Sequence, residues 1–428
     1  MKIKDLYKLF LESSGVSTDS RNLKPGSIFF ALKGENFDGN DFAAEAIQKG
    51  CELAVVDRPD LEGSDHIVRV GSSIETLQNL AAFHRKQKNI IMLAITGSNG
   101  KTTTKELVSA VMAKRYRVLH TTGNLNNHIG VPLTLLDIKD QEFGIVEMGA
   151  NHPGEIALLS KIIAPDFGLI TNIGKAHLEG FKTIEGVLEA KGELYDYLVK
   201  NGRKAFLNMN DDLLFHTADR MRLDFIPYND KNIYGEIIAV FPLLECNIYI
   251  EGRGHQVNTR LVGAYNLENI IPAVAIGKYF NIPEREIFDA IESYVPEMQR
   301  SQLIEGKRNR IILDAYNANP TSMRKSISDF IHYTSGPKMF ILGDMLELGE
   351  YEHQEHLDLV GWLENRKLEN VILVGDAFMK TQKKFPGYRY FKNVLSCISY
   401  LEDENFSGYH ILIKGSRKMA LESITGHC

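Results

Sequence analysis

The sequence predicts an α/β protein of three domains. At its centre is a doubly wound, mainly parallel sheet of the P-loop type, and a Rossmann-like domain stands at the C-terminal end. Three observations carry this expectation. From residue 90 onward, apolar runs of strand length alternate with helical stretches, the rhythm of βαβ units. The first of these runs ends in a glycine turn, Thr96-Gly97-Ser98-Asn99-Gly100-Lys101-Thr102, that leads directly into a helical pattern. A chain of 428 residues is also too long for one hydrophobic core.

Taken in order, residues 1–88 open with the amphipathic stretch MKIKDLYKLFLESSG. SIFFALKG (27–34) and CELAVVD (51–57) read as strands, with DFAAEAIQKG as a helix between them. The helical stretch TLQNLAAFHRKQKN then leads into the second segment, 89–296. Its strands are the run from Ile90, then RVLHT, FGIVEMG (143–149), FGLITNIG (167–174) and KAFLNM (204–209). A more β-like stretch, EIIAVFPLLECNIYIEG, and a helix from Asn266 to Phe280 close the segment. The third segment, 297–428, repeats the rhythm with NRIILDAYN, KMFILGD, NVILVGD and HILIKGS as strands and TSMRKSISDFIHY as a helix between two of them.

Composition narrows the function. Charged residues make up 24% and hydrophobic ones 44%, as in soluble globular proteins, and the net charge of −6 gives no reason to expect nucleic acid as a partner. No apolar run has the length of a membrane span, and the N-terminus lacks the apolar core of a signal peptide, so a cytoplasmic location is expected. Cys51, Cys246, Cys397 and Cys428 are scattered, which suits reduced thiols and neither a disulfide framework nor a zinc site. Trp362 falls in a helical stretch, where core packing is the default.

The glycine turn is the strongest chemical signal. Gly97 and Gly100 let the backbone curl so that successive N–H groups face one anion, and the following helix adds the positive end of its dipole. Lys101 can reach β- and γ-phosphates, and the Thr102 hydroxyl can ligate Mg²⁺. The spacing is G-x-x-G-K-T, with Ile95 where a longer loop would have its first glycine, which argues against ordinary P-loop kinases and GTPases.

Other polar residues cluster at strand ends, where ligands gather in parallel sheets. Glu147 ends FGIVEMG and is either a metal ligand or a cap for a neighbouring helix; a phosphate loop nearby favours the metal. His177 follows the strand that carries Thr171 and Asn172, and a structural role and a functional one are evenly matched there. Lys191 lies in a helical stretch, and spacing alone makes it a solvated charge. TTGNLNNHIGVP (121–132), with Asn124, Asn126, Asn127 and His128, is either a polar turn or a surface that reads a sugar or peptide through amides. Asn266 reads as an N-cap, and Asn269, one turn on, could face a base. DAYNANP (314–320) places Asp314, Asn317 and Asn319 at a strand end before Pro320 starts a helix, which tilts toward a site between domains.

Taken together, TGSNGKTTT, GNLNNHIGVP, IVEMGANHPGEI, TNIGKAHLE, EAKGEL, GAYNLENIIPA and DAYNANPTSM resemble the Mur ligases, from VSTDSR (16–21) to IKGSR (413–417). Within that family DAYNANPTSM, GNLNNHIGVP and ILGDMLELG are similar to the members that add D-Ala-D-Ala to UDP-MurNAc-tripeptide. The D-N-P-R signature of the sister that adds one amino acid does not occur.

The resemblance implies an N-terminal domain holding the UDP end of the precursor, with Thr18, Ser20 and Arg21 as contacts and Asn124, Asn126 and Asn127 on the precursor side. It implies a central ATP domain in which Gly97, Ser98, Asn99, Gly100, Lys101, Thr102 and Thr103 hold phosphates, Asn269 the adenine and Asp314 the ribose. The C-terminal domain would take the dipeptide, with Asn317 and Asn319 on that side. Thr102 and Glu147 would bind one Mg²⁺ and His177 a second, and Lys191 matches a lysine that relatives carbamylate into a metal-bridging anion, against its solvated reading. Arg300 aligns with an arginine that reaches the γ-phosphate, although Gln299 stands where relatives carry glycine.

The activity so implied is ATP-dependent amide formation through an acyl phosphate, in a monomer whose outer domains close over the core. The residues leave the deprotonating base open between His128 and a substrate-side group. A sister ligase adding a single amino acid and a P-loop ATPase without ligase activity are the rival readings.

Overall fold

The structure, a computed structural model, describes residues 1–428 except 35, 62–64, 297–301, 307 and 405. Four sheets organise those residues. The first is parallel, in the order Val16–Ser17, Ile28–Phe30, Leu53–Val56, Ile67–Arg69. The second has six parallel strands in the order Asp224–Tyr228, Lys204–Asn208, Phe167–Ile170, Ile91–Thr96, Phe143–Glu147, Val118–His120. Strands Ile233–Ala239, Glu245–Ile250 and Arg253–Asn258 form a small antiparallel sheet. The last has six strands in the order Gln302–Glu305, Arg310–Asp314, His410–Lys414, Lys338–Gly343, Val371–Val374, Arg389–Phe391; only the pairing of the first with the second is antiparallel.

In the second sheet, Ile91–Thr96 is central because its residues are apolar on both faces: Met92, Leu93, Ala94 and Ile95 are fully buried. Helix Lys101–Met112 leaves its carboxyl end and crosses to the edge strand Val118–His120. Phe143–Glu147 and Phe167–Ile170 then flank the central strand on opposite sides. The connections therefore diverge beside the phosphate loop, and this topological switch opens a crevice there.

The strands that periodicity missed are Val16–Ser17, Ile67–Arg69, Asp224–Tyr228, Arg253–Asn258, Gln302–Glu305 and Arg389–Phe391, and each is an edge strand. An edge strand needs less apolar surface, and one of these even carries Pro227, so the pattern is faint. Predicted interior strands are shorter than the apolar runs that announced them: SIFFALKG contributes only Ile28–Phe30 to its sheet. Trp362 is half-buried against the third-segment core, with the Arg366 guanidinium 3.8 Å from its ring centre. All four cysteines are free.

One buried apolar cluster runs from Leu6 and Phe10 through Leu77 and Leu80 to Val131, Ile163 and Leu194, crossing from the first sheet into the second. Arg85 stitches the same seam. Its guanidinium donates to the carbonyls of Ile163 (3.1 Å) and Ala164 (3.3 Å) and to Asp166 (3.2 Å), and Asp166 also accepts the Met92 N–H. Arg85→Met is expected to leave those carbonyls unpaired and cost about 2–3 kcal/mol, read as a lower thermal midpoint; an unchanged midpoint would show that the seam rests on apolar contact alone.

Candidate active site

The phosphate loop takes its shape from glycine and from side chains of the next strand's end. Gly97 (φ 144°) and Gly100 (φ 78°) are left-handed, and a Cβ on Gly97 would stand 2.0 Å from the Thr171 hydroxyl. Asn172 accepts the Asn99 N–H through Oδ1 (3.0 Å) and the Ser98 N–H through its carbonyl (2.9 Å), while Thr171 donates to the Asn99 carbonyl (2.6 Å). Ser98 exchanges hydrogen bonds with the Gly174 backbone. The helix begins at Lys101, so the N–H groups of its first turn, Lys101 to Thr103, have no helical acceptor and are available to an anion. Lys101 Nζ folds over the loop, donating to the carbonyls of Gly97 (2.8 Å) and Ser98 (3.3 Å).

Below the loop lies a buried carboxylate. Glu147, 2% exposed, accepts the Thr102 hydroxyl at 2.7 Å and the Asn126 amide at 2.8 Å, and it has no ion-pair partner among the described residues. An anion buried among neutral donors, beside a hydroxyl with lone pairs to spare, is hard-oxygen chemistry that suits Mg²⁺. Among the described residues no three His, Cys, Asp or Glu side chains converge, so such a cation would complete its shell with phosphate oxygens and water.

His177 has a left-handed backbone (φ 52°) at the start of helix Leu178–Phe181. Its Nδ1 stands 2.7 Å from Oε2 of Glu347, a residue of the last sheet's loops. This is an ion-pair approach, without an aligned N–H···O bond, and it holds the Glu347 carboxyl below its ordinary range. Lys191 is 1% exposed, which overturns the solvated reading that its spacing gave. Its side chain lies over the Phe181 ring at 5.6 Å, and burial, helped by the Lys101 charge, brings its pKa down to about 7. Near neutral pH it is divided between ammonium and free amine, the nucleophilic form.

The loop and the last sheet face each other across a cleft of about 480 Å³. Ser98 to Thr103, Asn126, Asn127, Glu147, His177 and Asn269 line one wall, and Asp314, Asn317 and Lys414 line the other. A far smaller apolar cavity of about 20 Å³, between Phe241, Val262 and Phe330, has room for about one water. Asn269 accepts from Thr104 (3.2 Å) and donates to Asn266 (2.8 Å). Asn266 occupies the N-cap position but makes no cap bond; its amide donates to the Val262 carbonyl (2.7 Å), correcting the capping expectation.

Asn319 caps helix Pro320–Tyr333 in a full capping box with Ser322, and its amide donates to Asn99 of the phosphate loop at 2.8 Å. It lies behind the cleft wall, as does Lys191. Asn127 caps the turn into helix Gly130–Leu136 through the N–H groups of Ile129 and Gly130. Asn124 accepts the Asn126 N–H through its carbonyl. Thr18, Ser20 and Arg21 lie in the first segment, away from this cleft, with Arg21 paired to Asp19 at 2.9 Å. Gly97 shapes the loop without lining the cleft. Arg300 lies outside the described residues.

Sequence reasoning missed Lys414 and Glu347. Lys414 closes the apolar strand HILIK, and its place beside Asp314 comes from strand pairing, which no local pattern announces.

Comparison with known proteins agrees with this geometry. Three family models match: "Mur ligase family, catalytic domain" over residues 12–125, "Mur ligase middle domain" over 95–277, and "Mur ligase, glutamate ligase domain" over 299–417. A UDP-N-acetylmuramoyl-tripeptide–D-alanyl-D-alanine ligase of Bacillus subtilis is 34% identical, over 96% of this chain and 92% of its own. MurF of Acinetobacter baumannii superposes with a TM-score of 0.89 at 29% identity, covering 99% of this chain and 97% of that one. MurF ligase of Thermotoga maritima in complex with ADP superposes with a TM-score of 0.87 at 27% identity, with the same coverage.

Lys101→Ala is expected to cut triphosphate-dependent turnover by about a hundred- to a thousand-fold or more with an unchanged melting midpoint. Normal turnover in that variant would place the phosphate grip elsewhere.

Proposed function

The chain belongs to the Mur ligase family, and we propose that it is the ATP-dependent ligase that joins D-alanyl-D-alanine to UDP-MurNAc-tripeptide in peptidoglycan precursor synthesis. The observation that carries this reading is the single cleft in which a phosphate loop and a cation-ready carboxylate face the Asp314–Asn317 turn of another domain. A nucleotide on one wall and an acceptor on the other is the arrangement a ligase needs. We take the domains as 1–88 for the UDP precursor, 89–296 for ATP and 297–428 for the dipeptide, with Thr18, Ser20, Arg21, Asn124, Asn126 and Asn127 on the precursor side and Asn317 and Asn319 on the dipeptide side. No helix among the described residues is long and apolar enough to cross a membrane. The pathway and the composition support a cytoplasmic location, and we take the protein as a monomer.

The chemistry follows from charge. A carboxylate does not condense with an amine in water unless it is activated. The precursor carboxylate attacks the γ-phosphorus of ATP, the bond to the β-phosphate oxygen breaks, and ADP leaves behind an acyl phosphate. The dipeptide amine then attacks the acyl carbon, loses a proton, and inorganic phosphate departs as the amide forms. Lys101, the first-turn N–H groups and Arg300 neutralise the moving phosphoryl group. Mg²⁺, when bound, adds to that neutralisation and orients the phosphates. Thr102 and Glu147 are the residues that would hold one Mg²⁺ and His177 a second, with a carbamylated Lys191 as a further ligand. The carbamate forms when the Lys191 free amine attacks CO₂ and releases a proton, and this replaces a buried cation beside Lys101 with an anion. Asn269 and Asp314 hold adenine and ribose, and closure of the third domain excludes the water that would hydrolyse the acyl phosphate.

The deciding experiment measures phosphate release with ATP, Mg²⁺ and UDP-MurNAc-tripeptide, with and without D-Ala-D-Ala. Release is expected to need both, with a product heavier by one dipeptide. Release driven by a free amino acid on a shorter precursor would mean a sister ligase, and release indifferent to both would mean an ATPase. Lys191→Ala is expected to lose most turnover and to regain part of it with acetate or formate; a native mass spectrum without the carbamate adduct, together with no rescue, would remove the bridging anion.

A further inference from the structure

Lys414 is a charged side chain only 2% exposed, on the cleft wall opposite the phosphate loop. Its place is fixed by sheet register: in the parallel pairing of His410–Lys414 with Arg310–Asp314, Lys414 lies directly beside Asp314. Its ammonium donates to Oδ2 of Asp314, with the Asn317 carbonyl as a longer partner at 3.5 Å. The Ser326 hydroxyl donates to the same Oδ2 at 3.4 Å. No described residue donates to Oδ1, and Asp314 lines the cleft. One oxygen of this carboxylate is thus anchored from behind and the other is left for whatever enters.

We propose that Lys414 is a positioning residue that anchors Oδ2 of Asp314 so that Oδ1 is presented, pre-oriented, to the ribose hydroxyls of the nucleotide. The inference rests on the reading that Asp314 meets the ribose. A carboxylate oxygen accepts a stronger, charge-assisted bond from a hydroxyl than a neutral acceptor does. Fixing the rotamer beforehand spares the ordering cost when the nucleotide binds. A competing use of Lys414, receiving the carboxylate of the incoming dipeptide, is disfavoured because its charge is already matched by Asp314 on the same sheet.

The test compares ADP with 2′-deoxy-ADP and 3′-deoxy-ADP by calorimetry on the full-length protein with Mg²⁺. The native protein is expected to bind the analogue lacking the contacted hydroxyl about ten-fold or more weakly than ADP. In Lys414→Met that ratio is expected to fall to about two or less, because ADP binding weakens toward that of the analogue. Should the Met variant fail to fold by circular dichroism, Lys414→Gln, which keeps a donor beside the carboxylate without the charge, is read by the same ratio. A full native ratio in the folded variant overturns the proposal, as does an intact ratio accompanied by a raised KM for D-Ala-D-Ala. A native ratio near one for both analogues, unchanged in Asp314→Asn, would instead remove the ribose reading itself and the proposal with it.

Discussion

The cleft is organised around one buried carboxylate and the two neutral groups that hold it. Glu147 lies at the end of a strand whose residues are all buried, and it is joined to Thr102 at the first turn of the phosphate helix and to Asn126 in the polar loop. Those three elements come from different crossovers of the sheet. Moving any one of them breaks a hydrogen bond to a desolvated anion, which is expensive. The helix start, the loop and the strand end are therefore locked at one relative height, and the phosphate loop inherits that height through Gly97 and Gly100. Burial without a counter-charge makes the same carboxylate an attractive seat for a divalent cation.

The third segment meets this assembly by apolar contacts, with Leu178 and Val262 buried in its core, and by polar ones around them. Asn319 reaches Asn99, Lys175 pairs with Glu355 at 2.5 Å, Lys325 with Glu268 at 2.5 Å, and Asp329 accepts the Tyr265 N–H at 3.2 Å. Several of these partners are surface-exposed, where an ion pair is worth about 1 kcal/mol or less. Those polar contacts fix the register of the seam. The first segment shares a longer, continuous apolar seam with the second sheet.

Much of this was legible in the sequence because interior parallel strands are apolar on both faces and announce themselves as runs. The glycine turn after Thr96, Glu147 at a strand end and Pro320 at a helix start all follow from local rules. Edge strands escaped because their burial is partial. Lys191 escaped for another reason: spacing reveals which face of a helix is apolar, but a lysine drawn under Phe181 breaks that pattern, and only the family resemblance flagged it. Asn266 was assigned to a cap by position, whereas its amide serves the Val262 carbonyl. Lys414 and Glu347 depend on which strand or loop lies alongside them, which is information held by topology and absent from any local window.

The unbroken apolar cluster from Leu6 to Leu223 also bears on how the molecule reaches this shape. The first sheet has four strands of two to four residues each; one of its faces packs on its own segment, and the other shares a core with elements up to two hundred positions later in the chain. That face is completed only by residues made later in the chain. The last sheet carries apolar clusters on both of its faces, built almost wholly from its own segment, and so it can mature by itself as soon as it is made. The first two segments thus share one core while the third builds most of its own, and the cleft lies where those two cores meet.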